Sequence, residues 1–107
     1  MRNKVQLIGN VGQEPEIKTF DGGKKVATIT IATNEVYYKE NGDKAEKTEW
    51  HRVSAWGKTA DIIEKYVTKG KEIAIEGKLT HRSYDDKDGN KRYITEVVAN
   101  ELVLMGK

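Results

Sequence analysis

Two indoles and a guanidinium share one face of a short segment. Residues Thr48 to Lys58 read Thr-Glu-Trp-His-Arg-Val-Ser-Ala-Trp-Gly-Lys. The two-residue period of a β-strand puts Trp50, Arg52, Ser54 and Trp56 on one side, with His51, Val53 and Ala55 on the other. Flat rings flanking a cation can stack bases and neutralise phosphates. Parity alone leaves a second reading open, because Trp is usually buried and the same face would then be core. Tyr37, Tyr38, Tyr84 and Tyr93 extend the pattern, interleaved with Lys39, Lys58, Arg82 and Arg92. For Tyr93 an ordinary half-buried strand position is the better reading, and Tyr66 reads as a packing residue on a helix stripe.

Other chemistry is poorly served. The chain has no cysteine and two histidines, His51 and His81, so a metal site lacks donors and no thiolate nucleophile exists. Both histidines share parity with apolar neighbours and read as buried, hydrogen-bonded or interfacial. Asp85 to Asn90 looks like a calcium loop, but setting Gly89 on its invariant glycine puts Tyr84 and Thr95 where Asp and Glu are required. Ser54 and Ser83 have no triad context, and Gly9-Asn-Val-Gly12 matches neither a phosphate loop nor a dinucleotide fingerprint. The expectation is a binding protein without cofactor or metal, and not an enzyme.

These residues need strands to carry them. Lys4 to Val11 reads as a first strand, interrupted by Gly12 and Pro15 and continued over Ile17 to Phe20. Gly9 within it signals a bend. Asp21-Gly22-Gly23 marks a hairpin turn, followed by a long strand from Lys25 to about Tyr38. A charged loop over Glu40 to Lys44 leads to the Trp-bearing strand. Thr59 to Thr68 is the one helical pattern, with Thr59 as N-cap, an Ile62-Ile63-Tyr66-Val67 stripe, Lys69 in the last turn and Gly70 as its stop. Glu72 to Tyr84 and Arg92 to Leu104 complete the set. This order predicts an all-β chain: a five-stranded OB-fold Greek-key barrel with one α-helix between strands three and four, forming one domain over 1–107. That fold binds oligonucleotides or oligosaccharides on strands two and three, so the Trp face becomes the expected binding side.

Composition agrees with a single modest core. Of 107 residues, 36% are apolar and 34% charged, and 19 basic against 17 acidic residues leave a net charge of +2. So small an excess cannot hold a polyanion by charge alone; the cations must be clustered in space, or stacking must share the work. Neither a signal peptide nor a membrane span is legible, which predicts a cytoplasmic protein with no membrane partner.

Six blocks carry a resemblance: Leu7 to Glu16, Thr48-Glu-Trp-His-Arg-Val53, Trp56-Gly-Lys58, Tyr66-Val-Thr-Lys-Gly70, Ile75-Glu-Gly-Lys-Leu79 and Tyr93-Ile-Thr-Glu-Val97. In this order they resemble the bacterial single-stranded DNA-binding protein family along almost the whole chain. The resemblance implies a homotetramer of OB-folds that wraps single-stranded DNA without sequence preference, in replication, recombination and repair at the nucleoid. It implies stacking by Tyr37, Trp50, Trp56 and Tyr84, and a subunit contact at His51. Phosphate partners are expected among Arg2, Lys4, Lys18, Arg52, Lys58, Lys69, Arg82 and Lys91. Long family members continue into an acidic tip that recruits replication and repair enzymes. The sequence given ends at Lys107 without such a tip, which fits either a short family member or a chain whose tail was removed, so the resemblance leaves recruitment open. The alternative within the same fold is a primosomal replication-restart subunit acting mainly through partner contacts.

Overall fold

The computed structural model describes residues 2–105. In chain order the elements are β1 (Val5–Val11), β2 (Glu16–Thr19), β3 (Lys25–Tyr38), β4 (Lys44–Trp56), α1 (Lys58–Tyr66), β5 (Glu72–Asp85) and β6 (Lys91–Leu104). The strands run β1-β5-β6-β4-β3-β2 across the sheet, and β1 also pairs with β3 through Asn10–Ala32 and Val11–Ile31. That extra pairing closes the barrel. β1 and β2 are two arms of one bent strand, so the barrel has five staves and its helix lies between the third and fourth, as the sequence predicts.

Closure depends on Gly9. A Cβ there would lie 2.3 Å from the Ala32 carbonyl oxygen, so only a residue without a side chain lets β1 cross β3. Inside, alternate residues of each strand form an aliphatic core: Val11, Ala27, Ile29, Ile31, Val53, Ala55, Ile73, Ile75, Val97 and Ala99. Ala60, Ile63 and Val67 of the helical segment join the same core.

The helix differs from its sequence pattern. β4 ends in Gly57, whose φ of 62° suits glycine, and this residue occupies the N-cap. The helix therefore starts at Lys58, not after a Thr59 cap, and ends at Tyr66 with Val67 as C-cap. Lys65, not Lys69, occupies the last turn, and Gly70 belongs to a separate turn closed by Lys71 N–H to Thr68 O at 3.1 Å. So short a helix meets the barrel along one narrow stripe, Ala60-Ile63-Val67. Ile62 and Tyr66, predicted to pack, are left 39% and 56% exposed. Lys25 ties the helix to β3 through Glu64 and Asp61, and these carboxylates raise its pKa.

Two ribbons leave the barrel. β3 and β4 stay paired from Val26–Trp56 out to Tyr38–Lys44, so β4 begins four residues earlier than its sequence pattern suggests. β5 and β6 stay paired out to Asp85–Lys91. The ribbons account for a radius of gyration of 16.0 Å, against about 13 Å for a compact chain of this length.

Candidate nucleic-acid interface

Every aromatic ring of the chain is outside the core. The composition gives two Trp, five Tyr and one Phe, and the least exposed of them, Tyr84, is 45% accessible. Val53 and Ala55 are fully buried while Trp50 and Trp56 are 62% and 50% exposed, so the Trp face of β4 is the outer one. The core reading of that face fails because the barrel is narrow, and its interior is already filled by Val, Ile and Ala.

Strand register sets the neighbours. On the outer face Trp56 lies beside Val26, Ser54 beside Thr28, Arg52 beside Thr30 and Trp50 beside Ala32. Lys18 of β2 follows Val26 in the first row, and Glu16 follows Thr28 in the second. On the opposite side β4 runs parallel to β6 for three residues, bringing Val98 next to Ser54. The result is a groove of about 410 Å³ that holds Lys18, Phe20, Arg52, Trp56, Arg82 and Glu96. A second groove of about 570 Å³ shares Val98 and adds Arg2, Lys4 and Lys78.

Both indoles have a support. A Cβ on Gly12 would sit 2.5 Å from Trp50 Cζ3, so the indole rests directly on the bare backbone of the β1–β2 bend. Trp56 is stacked on Phe20, with centroids 6.0 Å apart and planes 20° off parallel. A ring held on one side and wet on the other can receive a base with little loss of side-chain freedom.

The predicted residues do not all converge. Trp50, Trp56, Arg52, Arg82 and Lys18 share the outer barrel face, and Tyr84 continues it along the β5–β6 ribbon, level with Arg92. Tyr37 pairs with Ala45 and so takes the other face of its ribbon, the side of Ile31 and His51. Tyr38, opposite Lys44, has the Trp parity. Arg2 and Lys4 line the second groove, where Lys4 contacts Glu76 at 3.3 Å. Gln6 amide donation and then Lys4 hold the Glu76 carboxyl below its usual pKa. Lys58 opens the helix, Lys91 lies at a ribbon tip opposite Asp85, and Lys69 sits in the turn after the helix; none of the three lines either groove. The Lys69 backbone N–H donates to Glu14 at 3.1 Å.

His51 is half-buried on the Val53 side, its Nε2 2.9 Å from Thr33 Oγ1. His81, read as buried, hydrogen-bonded or interfacial, is exposed and hydrogen-bonded, its Nδ1 2.8 Å from Thr95 Oγ1. It lies where the β5–β6 ribbon has left the barrel, and there parity with Leu79 no longer means burial. Asp86 at the ribbon tip accepts from the Asp88 and Asn90 N–H groups and from Arg92 Nε at 2.8 Å, the arrangement of a closed turn. Sequence reasoning passed over Phe20, Lys78 and Glu96 as site residues. Phe20 reads as a strand end. Lys78 falls on the right parity, a signal sufficient to include it. Glu96 carries the wrong charge for a phosphate site.

A closed Greek-key barrel with one helix and an outer face of rings and cations defines an OB-fold protein. Comparison with known proteins narrows this. The chain belongs to the single-strand binding protein family, whose model matches residues 2–105. It is 45% identical over 106 residues to single-stranded DNA-binding protein 1 of Xylella fastidiosa (strain 9a5c), covering 98% of this chain and 78% of that one. Identity is 46% over 105 residues to single-stranded DNA-binding protein 1 of Chlorobaculum tepidum, covering 97% of this chain and 65% of the relative's length. Among solved structures, the Plasmodium falciparum protein in complex with single-stranded DNA superposes with a TM-score of 0.92 at 36% identity, covering 99% of this chain and 97% of that one. A deletion mutant of the Thermus aquaticus single-stranded DNA-binding protein gives 0.85 at 29% identity, over 97% of this chain and 50% of its own.

Proposed function

We propose that the chain binds single-stranded DNA without sequence preference, as a non-catalytic protector of exposed strands in replication, recombination and repair. The observation that carries this is the outer face of β4, where two supported indoles flank Arg52 on a barrel whose interior is already full. Bases stack on Trp50, Trp56 and Tyr84, with Phe20 backing Trp56. Phosphates meet Lys18, Arg52 and Arg82 first, and then Arg2, Lys4 and Lys78 in the adjoining groove. Unstacked bases are required, since a duplex hides the faces that the rings bind. Titration with oligo-dT is expected to quench Trp fluorescence strongly, with duplex DNA a weak competitor. Unchanged emission at saturating oligonucleotide overturns the assignment.

We also read the chain as a homotetramer acting in the cytoplasm at the nucleoid. Support comes from an apolar strip across three strands, Ile8, Ala74 and Val103, in which Ile8 and Val103 are 60% and 58% exposed. So much exposed aliphatic surface in one row fits contact with another subunit. His51 is the second proposed contact. Light scattering tests it: a tetrameric mass is expected, and a monomeric mass overturns it. No helix among the described residues is long and apolar enough to cross a membrane.

A further inference from the structure

The groove floor holds a carboxylate, in a place where a polyanion is expected to bind. Glu96 lies on β6 with its side chain only 11% exposed, between Arg52 of β4 and Arg82 of β5. Its two oxygens are shared out. Arg52 Nε donates to Oε2 at 3.1 Å, and Arg82 Nε donates to Oε1 at 3.3 Å. Thr80 Oγ1 fixes the same stretch of β6 by donating to the Glu96 carbonyl at 3.2 Å.

A carboxylate this enclosed is costly unless both oxygens are satisfied by cations. Two guanidiniums brought to one patch repel each other unless an anion lies between them. Glu96 meets both conditions, and it does so through the Nε side of each fork. No hydrogen bond ties the terminal amino groups to Glu96, and both arginine side chains are about half exposed (49% and 51%). Those amino groups are the donors that grip a phosphate in bidentate fashion.

We infer that Glu96 is a positioning residue that joins Arg52 and Arg82 into one preorganised phosphate clamp, rather than a charge that merely opposes DNA. The inference rests on the single-stranded DNA reading above. A Gln at this position accepts from one guanidinium while its amide N–H₂ faces the other, so only one arginine stays aimed.

The test is oligo-dT binding by the full chain across a range of salt concentrations. E96Q is expected to weaken binding about five- to tenfold, the scale of one lost charge-assisted contact. Its salt slope is expected to become shallower by about 0.7, equivalent to one phosphate. In an R52A/R82A background the E96Q effect is expected to vanish, which a merely structural role does not predict. R52K, which keeps the charge but loses the Nε–H, gives an independent measurement if E96Q folds poorly, and it is expected to weaken binding to a similar extent. Tighter binding or a steeper slope for E96Q overturns the inference, as does wild-type affinity in either E96Q or R52K. If wild-type protein itself fails to bind oligo-dT, the underlying reading falls and this inference falls with it.

Discussion

The lower half of β4 and its outer half obey different rules. From Trp50 to Trp56 the strand is a barrel stave, with one face sealed by Ile29, Ile31 and Val97 and the other open to the groove. From Lys44 to Glu49 it is one side of a free ribbon, where nearly every residue on either face is exposed. In the stave, filling the core decides where the rings point. In the ribbon nothing distinguishes the two faces energetically, so parity assigns Tyr37 and Tyr38 to opposite sides without saying which is used. A core on one side is what gives the other side a definite role.

Stability measurements sharpen this contrast most. Ile31→Ala, in the stave, is expected to destabilise the fold by about 2–5 kcal/mol through a cavity in the sealed core. Val36→Ala, on the ribbon, is expected to change stability by no more than about 0.5 kcal/mol. Comparable urea midpoints for the two variants break the comparison. Gly9→Ala follows, with about 1–3 kcal/mol expected from the clash with the Ala32 carbonyl where the barrel closes. A wild-type melting temperature for Gly9→Ala argues against that crossing.

Binding gives the next tests. Trp56→Ala is expected to cost about 1–3 kcal/mol of oligo-dT affinity, the value of one stacked base. Tyr37→Ala is expected to cost less than about 1 kcal/mol, because its ring lies away from the Trp face. Equal losses in a fluorescence or anisotropy titration mean that DNA engages both faces of the ribbon.

The smallest effect concerns the β5–β6 tip. Arg92, followed by the Asn90 and Asp88 N–H groups, holds the Asp86 carboxyl below its ordinary pKa of 3.8. A depressed acid stabilises the fold above its ordinary pKa and loses that contribution as pH falls through the folded value. The Asp88 and Asn90 amide signals are therefore expected to hold steady from neutrality to about pH 4 and to shift only below it. Movement near pH 5 in an NMR titration contradicts the turn.

Much of this was legible in the residues, for identifiable reasons. The hairpin at Asp21-Gly22-Gly23 was readable because positive φ demands such residues, and both glycines have it. The Trp face was readable once the barrel fixed which side is in. Elsewhere local chemistry misled. Thr59 is a better N-cap by type than Gly57, yet the strand must turn at Gly57, and the turn takes the cap with it. Tyr66 looks like core on a helical wheel, but a short helix offers the barrel only one stripe. Glu96 was invisible because its role depends on two arginines from other strands, which no local pattern reveals. Tyr37 entered both from its place among basic strand residues and from family resemblance, and its register opposite Ala45 puts it on the face away from the Trp residues.

The closing pair of strands has a consequence for the order in which the chain can fold. β1 leaves a ribosome well before its main partner, β5, which begins at Glu72. Until that segment emerges, Leu7 and Ile8 have no strand beside them on that side, while the β3–β4 hairpin can already form. Contacts between such distant segments are slow to close. The same strand edge is then an exposed, apolar liability in the nascent chain, and its protection falls to whatever covers it before synthesis reaches Gly77.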